Sequence, residues 1–294
     1  MSIKNLHIIG ERINPGFASS RVLLETCNIK GLQDLAVSQA QKGAEYLTIN
    51  LGQRAEHDSS FVVELTHAIQ AVVDLPLSFD YPNRAVQEVC LKTYDAARAK
   101  GRKPIVNSIS ELRWNMLEVL AIQPARVVLM ASERLEDGVG VSNDTAIDVH
   151  ITTRRMVERA LKECAALSID DLIVDVALGP IACDSTGTIR RAIEAIRLIG
   201  ADPQLRGIHM VVGLSNLGVM LPKEASDGSR LPVKLESSFL TTAMPLGLDM
   251  ILGSPGRDYQ LLPDDDFVYT GFREAVALEG FDAIMRIQQL YTNG

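Results

Sequence analysis

The chain has 294 residues, 47% of them hydrophobic and 22% charged, with 29 basic against 37 acidic side chains. The hydrophobic share suits a core-forming globular chain, and the acidic balance without any Lys/Arg run argues against a nucleic-acid partner. No apolar stretch approaches the roughly 20 residues of a membrane-spanning helix, no apolar leader opens the chain, and Cys27, Cys90, Cys164 and Cys183 form no C-x-x-C pair. A reducing, cytoplasmic setting without disulfides or a structural zinc site is therefore expected.

Eight short aliphatic runs alternate with longer amphipathic stretches. In chain order the runs are Leu6–Ile13, Tyr46–Leu51, Leu75–Phe79, Pro104–Ile109, Ala125–Met130, Leu172–Val176, His209–Leu214 and Asp249–Leu252. None shows a clean polar–apolar alternation, which is how a strand covered on both faces reads. Helices are predicted over Gln33–Gly43, Ser59–Val73, Asn83–Lys100, from Asn143 or Asp144 to about Leu167, and over Thr186–Ile199 and Val233–Leu246. Asp265–Tyr291 reads as one kinked helix or two. Eight strands separated by helices, with no break in composition, predict one (β/α)₈ TIM barrel spanning residues 1–294 as a single domain. The rival, an open doubly wound sheet, normally carries a glycine-rich phosphate loop, and no G-x-G-x-x-G is present. Gly218–Leu231 is long and polar for a strand-to-helix connection and reads as a lid.

In a barrel the C-terminal strand ends form the mouth. Here they supply Glu11, Arg12, Asn14, Asn50, Asp80, Asn107, Met130, Asp175, Asn216 and Ser254. No lysine ends a strand to form a Schiff base, and no histidine is there to hold a metal. A ring of acids and amides is suited to a flat, nitrogen-rich ligand such as a pterin. A carboxylate accepts its amino and ring N–H pair bidentately, and amides read the remaining donors and carbonyl. Each Asn or Asp alone also reads as a turn or cap residue; what favours a site is that Asp80, Asn107, Asp175 and Asn216 all fall at strand ends. By their ordinary pKa values, none of these groups is a proton donor near neutral pH.

The segments Gly10-Glu11-Arg12-Ile13-Asn14, Asn50-Leu51-Gly52, Asp80-Tyr81-Pro82-Asn83, Val106-Asn107-Ser108, Val174-Asp175 and Gly213-Leu214-Ser215-Asn216 occur in this order. Over essentially the whole chain they resemble the pterin-binding methyltransferases that move a methyl group from methyltetrahydrofolate to a corrinoid protein, and the folate domain of cobalamin-dependent methionine synthase is similar. The resemblance implies a homodimeric (β/α)₈ barrel of one-carbon metabolism. Asp80, Asn107 and Asp175 would hold the pterin. Asn216 would sit by nitrogen 5 as the catalytic residue, with Asn14, Asn50 and Ser254 as supporting contacts. It also implies methyltetrahydrofolate as substrate and a cobalamin brought by a partner corrinoid protein, with no metal held by this chain. Leu217–Arg230 departs from the acetogenic pattern, which carries Gln and Asn there, and leaves the identity of the corrinoid partner open.

Two alternatives are weighed. Dihydropteroate synthase carries a Ser-Arg-Lys motif after the seventh strand, where this chain has Leu214-Ser215-Asn216; a non-catalytic folate-binding barrel would have no need of Asn216. The nearest string to a cobalamin-carrying Asp-x-His-x-x-Gly motif, Asp148 to Thr153, lacks the glycine and falls in a predicted helix, so His150 reads as structural.

Overall fold

The computed structural model describes residues 3–292. Its strands are β1 (His7–Gly10), β2 (Tyr46–Ile49), β3 (Leu77–Asp80), β4 (Ile105–Ile109), β5 (Arg126–Met130), β6 (Glu133–Glu136), β7 (Val139–Ser142), β8 (Leu172–Asp175), β9 (His209–Gly213) and β10 (Met250–Gly253). Eight of them close a parallel barrel in the order β1-β10-β9-β8-β5-β4-β3-β2. Each coincides with one of the aliphatic stretches of the sequence, β3 and β10 running one residue past the predicted ends to Asp80 and Gly253, and the expected (β/α)₈ architecture is the one observed.

Strand alternation explains how the barrel is filled and why its mouth is polar. Successive side chains point to opposite faces. Ile9, Ile105, Val128, Ile173, Val211 and Met250 form one small buried cluster, with Tyr46 and Leu252 packed on it. Their neighbours Leu47, Ile49, Leu77, Phe79, Val106, Val127, Leu129, Leu172, Val174, Val212 and Ile251 belong to a separate, much larger cluster. The first set is the plug inside the barrel; the second is the shell under the helices. Two residues beyond a plug residue the chain faces inward again, now at the rim, and there stand Glu11, Asn107, Met130, Asp175 and Gly213. Asp80 follows inward Ser78 in the same way, and Asn50 follows Tyr46 and Thr48.

Several elements differ from expectation for identifiable reasons. The predicted elements leave 131–142 unassigned, yet β6 and β7 pair there as an antiparallel hairpin. Its turn is Asp137-Gly138, both at positive φ (51° and 81°), a two-residue turn whose Asp-Gly signal was legible. Helices Ala18–Glu25 and Arg54–His57 were not foreseen. The helix begun at Asn83 stops at Thr93 because Tyr94 turns extended and buries its ring edge-on against Phe79. The helix expected to start at Asn143 or Asp144 is capped by Thr145 with Asp148; Asn143 is buried and donates its amide to Ala131 O and Thr152 Oγ1. The C-terminal material forms two helices, Phe267–Ala277 and Gly280–Gln288. Loop 218–231 is pinned down by Ala225 N–H to Ser229 O and Ser226 N–H to Leu290 O. Only its first residues, Gly218 and Val219, face the mouth cavity.

Candidate pterin site

A cavity of about 530 Å³ opens at the C-terminal ends of the strands, and Glu11, Asn14, Asp80, Ser215, Asn216, Glu236 and Arg257 are among the residues that line it. Of the residues expected from sequence, Asn14, Asp80 and Asn216 line this space directly. Asn14 also accepts from Gly16 N–H, fixing the turn after β1. Asn50 lies behind Asp80: its amide donates to Asp80 Oδ2 at 2.9 Å while its carbonyl accepts from Gly52 N–H at 2.8 Å. Asn107 is the register partner of Asp80 on the adjacent strand. Asp175 stands across the rim on β8, accepting from Ala177 N–H at 2.8 Å. Asn107, Asp175, Asn50 and Ser254 are not part of the cavity lining itself.

The charge of Asp80 acts on Asp175, and among the described residues neither acid has a cationic partner. Burial raises the Asp80 carboxyl above its usual range, partly offset by the Asn50 amide. Burial, with the neighbouring Asp80 charge adding to it, pushes Asp175 up to about 6. Two desolvated acids at the barrel rim, of which Asp80 lines the cavity, lose water that only hydrogen-bond donors can replace.

The backbone under Asp80 and Asn107 is held by one residue that sequence reasoning overlooked. Gln87 is fully buried, and its Nε2 lies 2.7 Å from Phe79 O, 3.0 Å from Tyr81 O and 3.1 Å from Asn107 O. Two amide hydrogens thus serve three carbonyls at the ends of β3 and β4. Gln87→Leu is expected to lower stability by about 2–3 kcal/mol, since buried carbonyls lose their donor, and the melting temperature by roughly 4–12 °C. An unchanged calorimetric melting temperature would show that the carbonyls find other partners.

The opposite wall differs from the ring read in sequence. Glu11 is buried and accepts hydroxyl hydrogen bonds from Ser215 and Ser254, both at 2.7 Å. Ser254, expected as a supporting contact, is thus turned to Glu11. Arg12 turns outward, its guanidinium 4.4 Å over the Phe17 ring and bonded to Ser19. Two residues absent from the strand-end reading complete this wall. Glu236 comes from the middle of helix Leu231–Ala243, and Arg257 from the loop after β10, with Arg257 Nε 3.0 Å from Glu236 Oε2. A signal existed for Glu236: it lies on the stripe of Val233, Phe239 and Leu240, where an acid is out of place. Among the described residues no His, Cys, Asp and Glu cluster is arranged to hold a metal. His150 is paired with Asp202 at 2.8 Å.

A family model described as pterin binding enzyme matches residues 19–252. The chain belongs to the pterin-binding enzymes. Among curated relatives, a methylcorrinoid:tetrahydrofolate methyltransferase of Eubacterium limosum is 25% identical over 256 residues, covering 84% of each chain. Solved structures with the same fold include a dihydropteroate synthase from Thermus thermophilus, 17% identical over 94% of each chain with a TM-score of 0.57. Another is 7,8-dihydropteroate synthase from Vibrio fischeri, 16% identical over 86% of this chain and 88% of that one, with a TM-score of 0.56. At such identities these structures speak for the barrel. The four cysteines of this pterin-binding enzyme are free, and among the described residues no helix is long and apolar enough to cross a membrane.

Proposed function

We propose that this pterin-binding enzyme is a methyltransferase, active as a homodimer in the cytoplasm, that moves a methyl group between nitrogen 5 of methyltetrahydrofolate and a corrinoid carried by a partner protein. The similarity to the Eubacterium limosum methyltransferase along 84% of both chains carries this reading. The turn after β9 supports it, because it presents Ser215 and Asn216, not a pair of cations suited to a pyrophosphate. Arg257, the cation among the cavity-lining residues, lies against Glu236.

In this reading Asp80 and Asp175 accept the pterin's amino and ring N–H donors, with Asn107 beside them and Asn50 fixing the Asp80 rotamer. Asn216 faces nitrogen 5. Its amide donates to the nitrogen lone pair or, rotated, accepts from a protonated nitrogen, so it favours the charged nitrogen that departure of the methyl group requires. Asn14 and Ser254 support the mouth, the latter through Glu11. The corrinoid enters as a co-substrate and accepts or delivers the methyl group. The test is anaerobic incubation with methyltetrahydrofolate and free cob(I)alamin, following folate demethylation. Enzyme-dependent formation of tetrahydrofolate is expected; tight folate binding with no transfer, to free corrinoid or to corrinoid protein, would leave a non-catalytic folate-binding barrel.

A further inference from the structure

Nitrogen 5 gains a proton when its methyl group leaves and loses one in the reverse direction, and the acids of the rim are not equally free to serve it. Asp80 and Asp175 are assigned to the pterin edge, and both oxygens of Glu11 are occupied by the Ser215 and Ser254 hydroxyls. Glu236 is different. It is fully buried, it lines the cavity, and neither carboxylate oxygen makes a hydrogen bond with any described residue. Arg257 Nε lies 3.0 Å away, yet its N–H is not aligned on the carboxylate.

We propose that Glu236 is the proton donor to, and acceptor from, nitrogen 5 of the folate bound in this cavity. The inference rests on the methyltransferase reading and adds the proton source that strand ends alone did not supply. Its geometry is non-local. Glu236 Oε1 lies 3.4 Å from where a Cβ on Gly218 would stand, and Gly218 ends the short helix Leu214–Gly218 that carries Asn216. Proton donor and nitrogen-facing amide are therefore neighbours on one wall. The loop after β10 holds this arrangement by bonding Gln260 N–H to Ser237 Oγ and Leu262 N–H to Thr241 Oγ1, which lays Arg257 and Tyr259 beside the helix.

The charged and titratable groups acting on Glu236 are Arg257 and Arg230, which favour its ionised form, and Glu11, which opposes it. Tyr259 stands close by, its buried hydroxyl making no hydrogen bond among the described residues and pushed up by burial and by Glu236. Burial outweighs the two arginines and brings Glu236 up to about 8, a value suited to holding a proton at neutral pH and releasing it to a basic nitrogen. In the forward step the methyl–nitrogen bond breaks as the methyl group bonds to the reduced corrinoid, and the Glu236 proton passes to nitrogen 5, leaving a carboxylate. The reverse step returns that proton to Glu236 as tetrahydrofolate takes the methyl group.

The test compares wild type and Glu236→Gln in single-turnover methyl transfer across pH, in both directions, alongside methyltetrahydrofolate binding. In wild type the forward rate should fall, and the reverse rate rise, as pH passes the Glu236 titration. In Glu236→Gln both limbs should vanish and the rates drop at least ~10²-fold, the lower range for acid–base catalysis, with folate affinity little changed. Retained limbs, loss of folate binding, or a destabilised variant that transfers methyl groups at the wild-type rate would each overturn the assignment, leaving Glu236 as a structural partner of Arg257. Infrared difference spectra between neutral and alkaline pH provide a readout without turnover. A protonated-carboxyl band that shifts when methyltetrahydrofolate binds and is missing in Glu236→Gln supports the role even if no methyl transfer is found, in which case only the methyltransferase reading fails. A band indifferent to folate overturns the role.

Discussion

The double replacement Asp80→Asn, Asp175→Asn is expected to weaken methyltetrahydrofolate binding by more than ~10²-fold. Each charge-assisted contact to the pterin edge is worth about 1.5–3 kcal/mol, and every 1.4 kcal/mol is about tenfold in affinity. The carboxylates are paired through space, so the two losses will not simply add. The pH dependence follows from the raised acids. Asp175 lies at about 6 in the free protein, and the ligand's donors need its ionised form. Affinity should therefore fall as pH drops through that value, with proton release on binding, and Asp175→Asn should flatten the dependence. The same shift acts on folding in the opposite sense. Because the Asp175 pKa in the fold lies above its ordinary value of 3.8, this group makes the fold more stable, not less, as pH falls from about 6 towards 4. Acid-weakened binding thus cannot come from Asp175-driven unfolding. Calorimetric titration across pH in buffers of different ionisation enthalpy checks both parts; unchanged affinity in the double variant would remove these acids from the pterin contact.

The second large effect is expected at Asn216. Asn216→Ala should slow methyl transfer on the order of 10²–10³-fold, the range found when a single preorganised group facing developing charge is removed, while folate affinity changes far less. Asn216 occupies an exposed position on the cavity wall, in the turn after β9, so its truncation leaves no buried void and the fold should hold. Single-turnover rates and equilibrium binding measured on the same preparation separate the two quantities. Equal loss in both would make Asn216 a binding residue, and no loss in either would detach it from nitrogen 5.

Much of the barrel follows from local chemistry. β-branched and aliphatic runs specify the strands, and the two-residue alternation then sends Glu11, Asn107 and Asp175 to the mouth once the plug residues Ile9, Ile105 and Ile173 point inward. Strand order and the position of each strand end along the chain are enough to gather Asp80 with Asn107, since β3 and β4 are adjacent in sequence and in the sheet. Hence the acid-and-amide rim could be read without coordinates. The hairpin at Asp137-Gly138 carried a local turn signal too, although no hairpin was predicted there.

What tertiary structure decided is where polar groups lose water and which partners they find. Nothing local to Gln87 shows that it lies beneath three carbonyls drawn from the ends of two strands. Ser254 and Ser215 meet on Glu11 across 243 and 204 residues of separation. Glu236 faces the cavity because the loop after β10 folds back on a helix that precedes it. Desolvation and pairing depend on atoms brought close by the whole barrel, whereas strand and turn preferences depend on neighbours a few residues away. For this reason the rim of acids and amides was present in the amino-acid order, while the wall of Glu236 and Arg257 took shape only when the barrel closed.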